Sequence, residues 1–549
     1  MAALKIENLI TDNLDLWTAA VRPKSSAGRG SNSKLELTGI KKLRELILEL
    51  AVRGKLVPQD PSDEPASVLL ERIAAEKTRL VKEGKIKKPK ALPEIGEEDK
   101  PFELPEGWEC IRLGDLTSKM GSGSTPRGGQ SAYVSEGIPF LRSQNVWNEG
   151  LRLDDVVYID ENTHLKMEGT KVIPGDVLLN ITGASLGRTL IFPDSIKEAN
   201  VSQHVTIIRL LIDELAPFVH LGIKSPLVQD LIWGRQVGMA IEGLSKRTLE
   251  LFEFPIPPLA EQQRIVAKVD ELMVLCDQLE QRCESQLAAH QTLVETLLAT
   301  LTDSCDADEL AQNWARLSTH FDTLFTTEAS IDALKQTILQ LAVMGRLVPF
   351  GSNTEKGDLK KFLSFGPRNG FSPKEVKSDT GVKVLKLGAT SYGSLDLNES
   401  KSIDVEIERE SNLWLNKGDI LIQRGNSANY VGCNCLVEED VPGVIYPDLM
   451  MKIRPLDIAS SEYLSMWLSS PMAREFMWSR MTGTSGTMPK ISKKVVESIP
   501  VVMPSRQTQD SIVAKAQDLL SICEHLKQRL RDIQQTQLQL TDTIVGQVV

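Results

Sequence analysis

Apolar residues recur along this chain at helical spacing. Leu43, Leu46, Ile47 and Leu50 fall at i, i+3, i+4 and i+7, which predicts a helix over Ile40–Val52. Two later segments, each behind a proline-rich stretch, step by four and three as in a coiled coil. Their apolar positions are Leu272, Cys276, Leu279, Cys283 and Leu287 in one segment, and Leu519, Cys523, Leu526, Leu530 and Ile533 in the other. About forty residues at a rise of 1.5 Å predict rods about 60 Å long.

The helical segments form an internal repeat. Lys42–Pro58 returns as Ala333–Pro349 with 10 of 17 positions identical, and Ile265–Arg282 returns as Ile512–Arg529 with 9 of 18 identical. The charged stretch Gln59–Lys100 has no counterpart in the second half. The repeat predicts two similar modules joined by equivalent helices.

Between the repeated helices, short apolar runs separated by glycine-rich turns predict two mixed α/β regions. In the first, we expect strands at Trp108–Leu113, Ile138–Arg142, Asp176–Ile181, Thr189–Phe192 and His204–Leu210, then a helix at about Leu215–Gly234. In the second, we expect strands at Val382–Leu387, Asp419–Gln423, Cys433–Val437 and Leu449–Arg454, then a helix over Glu462–Arg480. The predicted fold class is therefore α+β, with two mixed α/β domains in tandem repeat.

Composition narrows the classes of function. The net charge of −11 argues against a chain that coats nucleic acid non-specifically, although it permits a local basic surface. Seven irregularly spaced cysteines indicate a reduced cytoplasm, and the C-x-C pair Cys433–Cys435 lacks the second pair that zinc usually needs. No run of eighteen apolar residues or signal peptide is recognisable, so we expect no membrane partner and a cytoplasmic protein.

Several motifs resemble the specificity (S) subunit of a type I restriction–modification system. They are LAVRGKLVPQDPSDEPA (Leu50–Ala66), LPEGWECIRLGD (Leu104–Asp115), GSTP (Gly123–Pro126), GIPFLRSQNV (Gly137–Val146), PGDVLLNITG (Pro174–Gly183) and FPIPPLAEQQRIV (Phe254–Val266). The resemblance covers nearly the whole chain from about residue 40 onward. The second half departs from the pattern at its entry, where GDLKKFLSFGPRNGFSP stands instead of a clean LPEGW motif.

The resemblance implies two target-recognition domains, separated by long antiparallel coiled-coil helices, that each read one half of an asymmetric bipartite site in double-stranded DNA. It implies a non-catalytic chain that docks two modification (methyltransferase) subunits, which use S-adenosylmethionine to methylate adenine. Restriction (translocase/nuclease) subunits, which use ATP and Mg, would join that complex and cleave DNA. No cofactor is expected in this chain itself.

On this interpretation the chain divides into six segments. They are an N-terminal extension and linker (1–39), an N-terminal helical segment (40–100), recognition domain 1 (101–257), a central coiled-coil spacer (258–350), recognition domain 2 (351–503) and a C-terminal coiled-coil helix (504–549). We further expect the helix Lys41–Val52 to pack near the C-terminal helix.

Specificity is expected in the loops of the divergent regions, where Arg, Lys, Asn, Gln, Ser and Thr offer donors and acceptors to bases and phosphates. The first-domain candidates are Ser124, Thr125, Arg127, Gln130, Arg142, Ser143, Gln144, Asn145, Asn180, Thr182, Ser185, Arg188, Gln203, Lys246 and Arg247. The second-domain candidates are Lys386, Gln423, Arg424, Asn426, Ser427, Asn429, Tyr430, Thr484, Ser485, Lys490 and Lys493. For each of them, a plain solvated turn is the alternative interpretation.

Two other functions remain open. A fused methyltransferase would need an Asn/Asp-Pro-Pro-aromatic motif, which does not occur, and Asp448 with Lys452 only weakly imitates a nuclease site. A coiled-coil scaffold with protein-binding inserts would explain the acidic charge, but not the polar loops that bear Arg, Asn and Gln. We therefore expect no catalytic and no metal-binding residues.

Overall fold

The computed structural model describes residues 6–23, 35–236, 243–378, 380–391, 393–483 and 488–548. The chain divides into two compact units. Unit 1 consists of Met1–Arg22, Glu36–Cys283 and Gln537–Val549, and unit 2 of Pro23–Leu35 and Glu284–Thr536. The central helix, Leu259–Asp303, and the C-terminal helix, Arg506–Val548, each contribute residues to both units.

Unit 1 contains the first mixed domain. Its α-helices are Ile6–Asp12, Leu14–Ala19, Thr38–Val52, Ala66–Lys82, Glu161–Lys166, Ala216–Lys224, Pro226–Gly234 and Lys246–Glu250. Its strands are Glu109–Arg112, Thr117–Ser122, Tyr133–Val134, Ile138–Leu141, Val146–Trp147, Gly150–Leu151, Val157–Ile159, Lys171–Val172, Val177–Asn180, Thr189–Ile191, Ala199–Val201, Val205–Leu210 and Glu253–Ile256. Short strands Arg22–Pro23 and Leu35–Glu36 border the undescribed stretch 24–34.

Unit 2 contains the second mixed domain. Its α-helices are Ala307–Thr319, Phe321–Leu324, Glu328–Val343, Ser461–Ser469, Pro471–Trp478 and Lys493–Glu497. Its strands are Glu355–Asp358, Leu363–Asn369, Lys383–Leu385, Ser400–Ser402, Trp414–Leu415, Ile420–Gln423, Asn434–Leu436, Val441–Ile445, Met450–Pro455 and Pro500–Met503. The structure thus has the predicted mixture of helix and sheet, with the long central helix between two sheet-rich domains in the chain.

The two domains share the pairing of their central strands. In the first, Val177–Asn180 lies antiparallel between Thr189–Ile191 and Val205–Leu210, and in the second Ile420–Gln423 lies antiparallel between Asn434–Leu436 and Met450–Pro455. A second sheet in each domain contains one parallel pair, Ile138–Leu141 with Ala199–Val201 and Lys383–Leu385 with Val441–Ile445. Apolar residues of both sheets pack together in each domain, so the core lies between the sheets.

Two helices predicted as continuous are broken, and those predictions were wrong. The first breaks at Ser225 and the second at Ser470. A proline follows each serine, and proline lacks the N–H that a continuing helix would need. The serine hydroxyl instead accepts a backbone N–H of the next helix, from Val228 or Ala473. Serine therefore caps a new helix in both domains.

The same polar contact holds each domain to its repeated helix. Glu49 Oε2 accepts the Leu227 N–H at 3.0 Å, and Gln340 Oε1 accepts the Met472 N–H at 3.1 Å. Both N–H groups lie in the first turn of a helix that starts with proline, where donors have no partner inside the helix. The repeat thus preserves the hydrogen bond that joins the domain to the repeated helix, as well as the sequence of that helix.

The repeated helices are also joined by equivalent ion pairs. Arg44 pairs with Asp277 of the central helix at 2.7 Å, and Lys335 pairs with Glu524 of the C-terminal helix. Within unit 1, Lys42 pairs with Asp542, which confirms that the N-terminal repeated helix packs near the end of the C-terminal helix.

Candidate nucleic-acid interface

In the first domain, the loops with candidate residues meet at one end of the strands. The Ser124 N–H donates to Val201 O at 3.1 Å, and the Thr125 hydroxyl bonds to the Gln203 side chain. A Cβ atom at Gly123 would stand 1.8 Å from Val201 O, so only glycine allows this loop to approach so closely. The turn at 121–130 is therefore fixed against the Ser202–His204 turn.

Three further segments join this end of the domain. The Ile181 N–H donates to His204 O at 3.0 Å, and the Thr182 hydroxyl lies 2.7 Å from His204 Nδ1. The Leu244 N–H donates to Ile181 O at 2.9 Å, which places the segment with Lys246 and Arg247 beside the same loop. Asn180 Nδ2 donates to Ser143 O at 2.8 Å, so the Arg142–Asn145 segment adjoins it as well.

The second domain gathers the corresponding segments. The Arg424 N–H donates to Leu449 O at 2.8 Å, and the Ile491 N–H donates to Arg424 O at 2.9 Å. Gln423 Nε2 donates to Leu387 O at 3.0 Å, which brings the segment after Lys386 alongside. This end of the second domain is thus built from the same positions of the repeat.

Three candidate side chains point into the protein. Asn145, Asn180 and Gln423 are 0% exposed. Asn145 Nδ2 donates to Arg152 O at 2.9 Å, and Gln423 Nε2 also reaches the Thr390 hydroxyl at 3.0 Å. Buried amides are costly to leave unpaired, and these hydrogen bonds hold neighbouring loops in place. We assign these three residues a positioning role and not a direct contact with a ligand.

The other candidates differ in exposure. Those exposed to solvent are Ser124, Thr125, Arg127, Gln130, Gln144, Gln203, Lys246, Arg247, Lys386, Ser427, Asn429, Lys490 and Lys493. Those half-buried are Arg142, Ser143, Thr182, Ser185, Arg188, Arg424, Asn426 and Tyr430. Thr484 and Ser485 lie outside the described residues.

Some of the basic candidates have acidic neighbours. Arg142 lies 3.7 Å from the Asp155 carboxylate and Lys246 lies 3.4 Å from Glu250. In the described part of the chain, Arg127, Lys386, Lys490 and Lys493 form no ion pair within 4.0 Å. Arg424 has a buried Nε without a hydrogen-bond partner there. A polar ligand at the second-domain surface would meet several uncompensated positive charges.

Sequence reasoning missed Trp147 and Arg152. The Arg152 and Arg188 guanidinium carbons lie 3.5 and 3.6 Å from the Trp147 ring centroid. The Trp147 Nε1–H donates to Gln144 O at 2.7 Å, which fixes the indole. A tryptophan two residues after the chosen polar segment Arg142–Asn145 was the available signal, but its contact with the distant Arg188 required the fold.

No group of three or more potential metal ligands occurs among the residues that the structure describes. Cys435 is buried, and burial raises the pKa of its thiol to about 12, which keeps it protonated at neutral pH. Over the described ranges, no helix is long and apolar enough to cross a bilayer.

Comparisons with known proteins identify the family to which this arrangement belongs. The family model of the type I restriction modification DNA specificity domain matches residues 105–289. The specificity subunit of the Escherichia coli type I restriction enzyme EcoEI is 38% identical over 598 residues, covering 98% of this chain and 99% of that protein. The Escherichia coli EcoAI specificity subunit is 36% identical over 606 residues, covering 100% of both chains.

A solved structure supports the fold. One chain, from work on complex assembly and conformational transition of the type I R-M system, has a TM-score of 0.50 and 16% identity. It covers 82% of this chain and 99% of that chain. Paired domains with polar loop ends and extensive similarity to curated specificity subunits define a DNA-recognition subunit. The chain belongs to the family of type I restriction–modification specificity subunits, which are non-catalytic and confer DNA sequence specificity.

Proposed function

We propose that the two mixed domains each read one half of an asymmetric, bipartite DNA site. The observation that carries this proposal is a preserved framework with different loop side chains. The contact of Glu49 with Leu227 recurs as that of Gln340 with Met472, whereas Arg188 of the first polar surface is replaced by Cys433 in the second. Two domains with the same framework but different loop side chains are expected to read two half-sites of different sequence.

The repeated helices serve as two equivalent docking surfaces for modification subunits. Support comes from the equivalent ion pairs of Arg44 with Asp277 and of Lys335 with Glu524. Two copies of one partner bind most simply to two copies of one surface. The modification subunits supply S-adenosylmethionine and adenine methylation, and restriction subunits add ATP, Mg and cleavage. The complex is assigned to the cytoplasm.

The first test is methylation sequencing of DNA from cells that express this chain with its modification subunit. A control strain lacks only this chain. We expect a new bipartite motif with methyladenine in both halves. If the complex assembles with an active modification subunit and no new motif appears, the proposal is wrong.

A double substitution then tests the second domain. Arg424→Ala with Asn426→Ala removes two candidate base contacts, each worth about 1–3 kcal/mol or roughly 5- to 150-fold in discrimination. We expect relaxed or lost specificity in one half of the motif only. The matched control is Arg409→Ala with Asn412→Ala, an exposed pair in the loop that follows Ser400–Ser402, at the opposite end from Lys386. An unchanged motif in the first variant would remove these residues from the reading surface.

A further inference from the structure

Trp147 holds two arginine side chains at the polar end of the first domain. It lies in a hairpin formed by Val146–Trp147 and Gly150–Leu151. The Arg152 and Arg188 guanidinium carbons lie 3.5 and 3.6 Å from its ring centroid. These distances are those of cation–π stacking, which orients a guanidinium while leaving the N–H groups at its edge free to donate.

The two arginines lie on opposite faces of the indole. Two guanidinium groups this close to one centroid would overlap if they shared a face, so their carbons lie on different faces and at most about 7 Å apart, the sum of the two distances. Phosphates of one DNA strand follow each other about every 3.4 Å along the helix axis, so two guanidinium groups this near each other can reach neighbouring phosphates. Two positive charges are thus held near each other in a fixed orientation.

Among the residues that the structure describes, no carboxylate neutralises this pair. In the described part of the chain, neither Arg152 nor Arg188 forms an ion pair within 4.0 Å or donates a side-chain hydrogen bond. Asp155, the nearby acid, is engaged by Arg142 and by Asn145 Nδ2, the latter at 2.8 Å. Glu149, in the turn of the hairpin, interacts electrostatically with Lys224. Burial lowers the pKa of Lys224, and the Glu149 carboxylate opposes that shift. Uncompensated, preoriented arginines are suited to bind an anion.

The second domain lacks this arrangement although its backbone is equivalent there. The Arg152 N–H donates to Asn145 O at 2.9 Å, and at the matching positions the Asp396 N–H donates to Ala389 O at 3.0 Å. Ser391, Asp396 and Cys433 occupy the places of Trp147, Arg152 and Arg188. The shared scaffold therefore does not require the arginine pair. In the second domain, Asp396 places a negative charge where Arg152 places a positive charge in the first.

We propose that Arg152 and Arg188, held by Trp147, form a clamp for two neighbouring phosphates of the DNA half-site bound by the first domain. This inference rests on the proposed function. It makes the two domains unequal, because the first domain binds the DNA backbone at this point and the second does not. The clamp positions the domain on the DNA, while other side chains read the bases.

The test is the salt dependence of DNA binding by the assembled complex of this chain with its modification subunit. Arg152→Gln and Arg188→Gln are measured singly and together, on a duplex with the methylated motif and on an unrelated duplex. Each lost phosphate contact should reduce the slope of log K against log salt by about 0.9, and the double variant by about 1.8. Arg72→Gln, which removes an exposed charge from helix Ala66–Lys82, is the control and should leave the slope unchanged.

Two further measurements keep the outcomes distinct. Trp147→Leu should weaken binding yet preserve most of the slope, because both charges remain but lose their orientation. Methylation sequencing of the double variant should return the wild-type motif with fewer modified sites. An unchanged slope on both duplexes would overturn the clamp, and so would a motif relaxed at one base, since that result means base reading. If wild type itself yields no bipartite motif, the proposed function fails, while the slope on unrelated DNA still decides whether the clamp exists.

Discussion

A buried lysine in the second domain provides a quantitative test of how this domain is stabilised. Lys452 and Asp419 have side chains 1% and 0% exposed, and Lys452 Nζ lies 3.0 Å from Asp419 Oδ2. Lys452 also donates to Trp414 O at 2.7 Å. At the matching register position of the first domain stands Ile207, so the fold tolerates an apolar side chain there.

The two partners of this pair should respond unequally to substitution. In Lys452→Met, Asp419 keeps the Arg454 guanidinium at 2.8 Å and the Asn416 N–H at 3.0 Å, so no charge is left unpaired. Replacing the ammonium alone removes its desolvation cost but also its hydrogen bond to Trp414 O, so we expect Lys452→Met to be close to neutral and far milder than Asp419→Asn. In Asp419→Asn, the ammonium stays buried without its counter-ion, which should cost about 3–5 kcal/mol.

The cost of Asp419→Asn corresponds to a Tm decrease of about 6–20 °C for a domain of this size. Urea unfolding of the full chain measures both variants, with Lys383→Met as the control for loss of an exposed lysine. If Lys452→Met destabilises as much as Asp419→Asn, the ammonium contributes net stability and our reasoning on its desolvation is wrong.

The same lysine should add a pH dependence. Burial lowers the pKa of Lys452 from its ordinary 10.5, so in alkaline solution the unfolded chain binds this proton more tightly than the native one. Stability attributable to Lys452 should therefore rise with pH from its native pKa up to 10.5. Lys452→Met should not show this increase. The difference in the free energy of unfolding between wild type and Lys452→Met, measured at several pH values, should therefore change over this range in favour of wild type.

Three further outcomes are expected. Burial raises the pKa of Glu261 to about 7, so native stability should fall as pH rises from 4.5 to about 7. Glu261→Gln should abolish this fall and be more stable than wild type by about 3 kcal/mol at pH 8, measured by urea unfolding. Glu49→Ala should cost about 1–3 kcal/mol by leaving the Leu227 N–H unpaired, whereas Glu49→Gln, as in the second repeat, should cost less. Exchanging residues 351–503 for those of another specificity subunit should change one half of the methylated motif, and a change in both halves would contradict independent reading.

Local sequence was sufficient for the elements that bury apolar residues at regular spacing. The strand predicted at Asp176–Ile181 is found at Val177–Asn180, and that predicted at Asp419–Gln423 is found at Ile420–Gln423. Continuous apolar runs between glycine turns leave little alternative to a buried strand. The helix breaks at Ser225 and Ser470 were missed, although a Ser-Pro pair marks each of them.

The polar surfaces were only partly predictable. Glycine-rich polar segments were rightly expected to be loops, but their sequences do not say which side chains turn inward. Asn180 and Gln423 are buried because their amides bind the backbone of a loop far along the chain. Those partners exist only after the sheets have formed.

The repeat, the alternation of helix and sheet, and the resemblance to specificity subunits were already present in the order of residues, because they depend on local spacing and on similarity within the chain. Tertiary structure alone brought Arg188 onto Trp147 and placed Lys452 against Asp419. Each of these contacts joins residues that are distant in sequence. Their energies depend on burial and orientation, which the folded sheets create and no local pattern encodes.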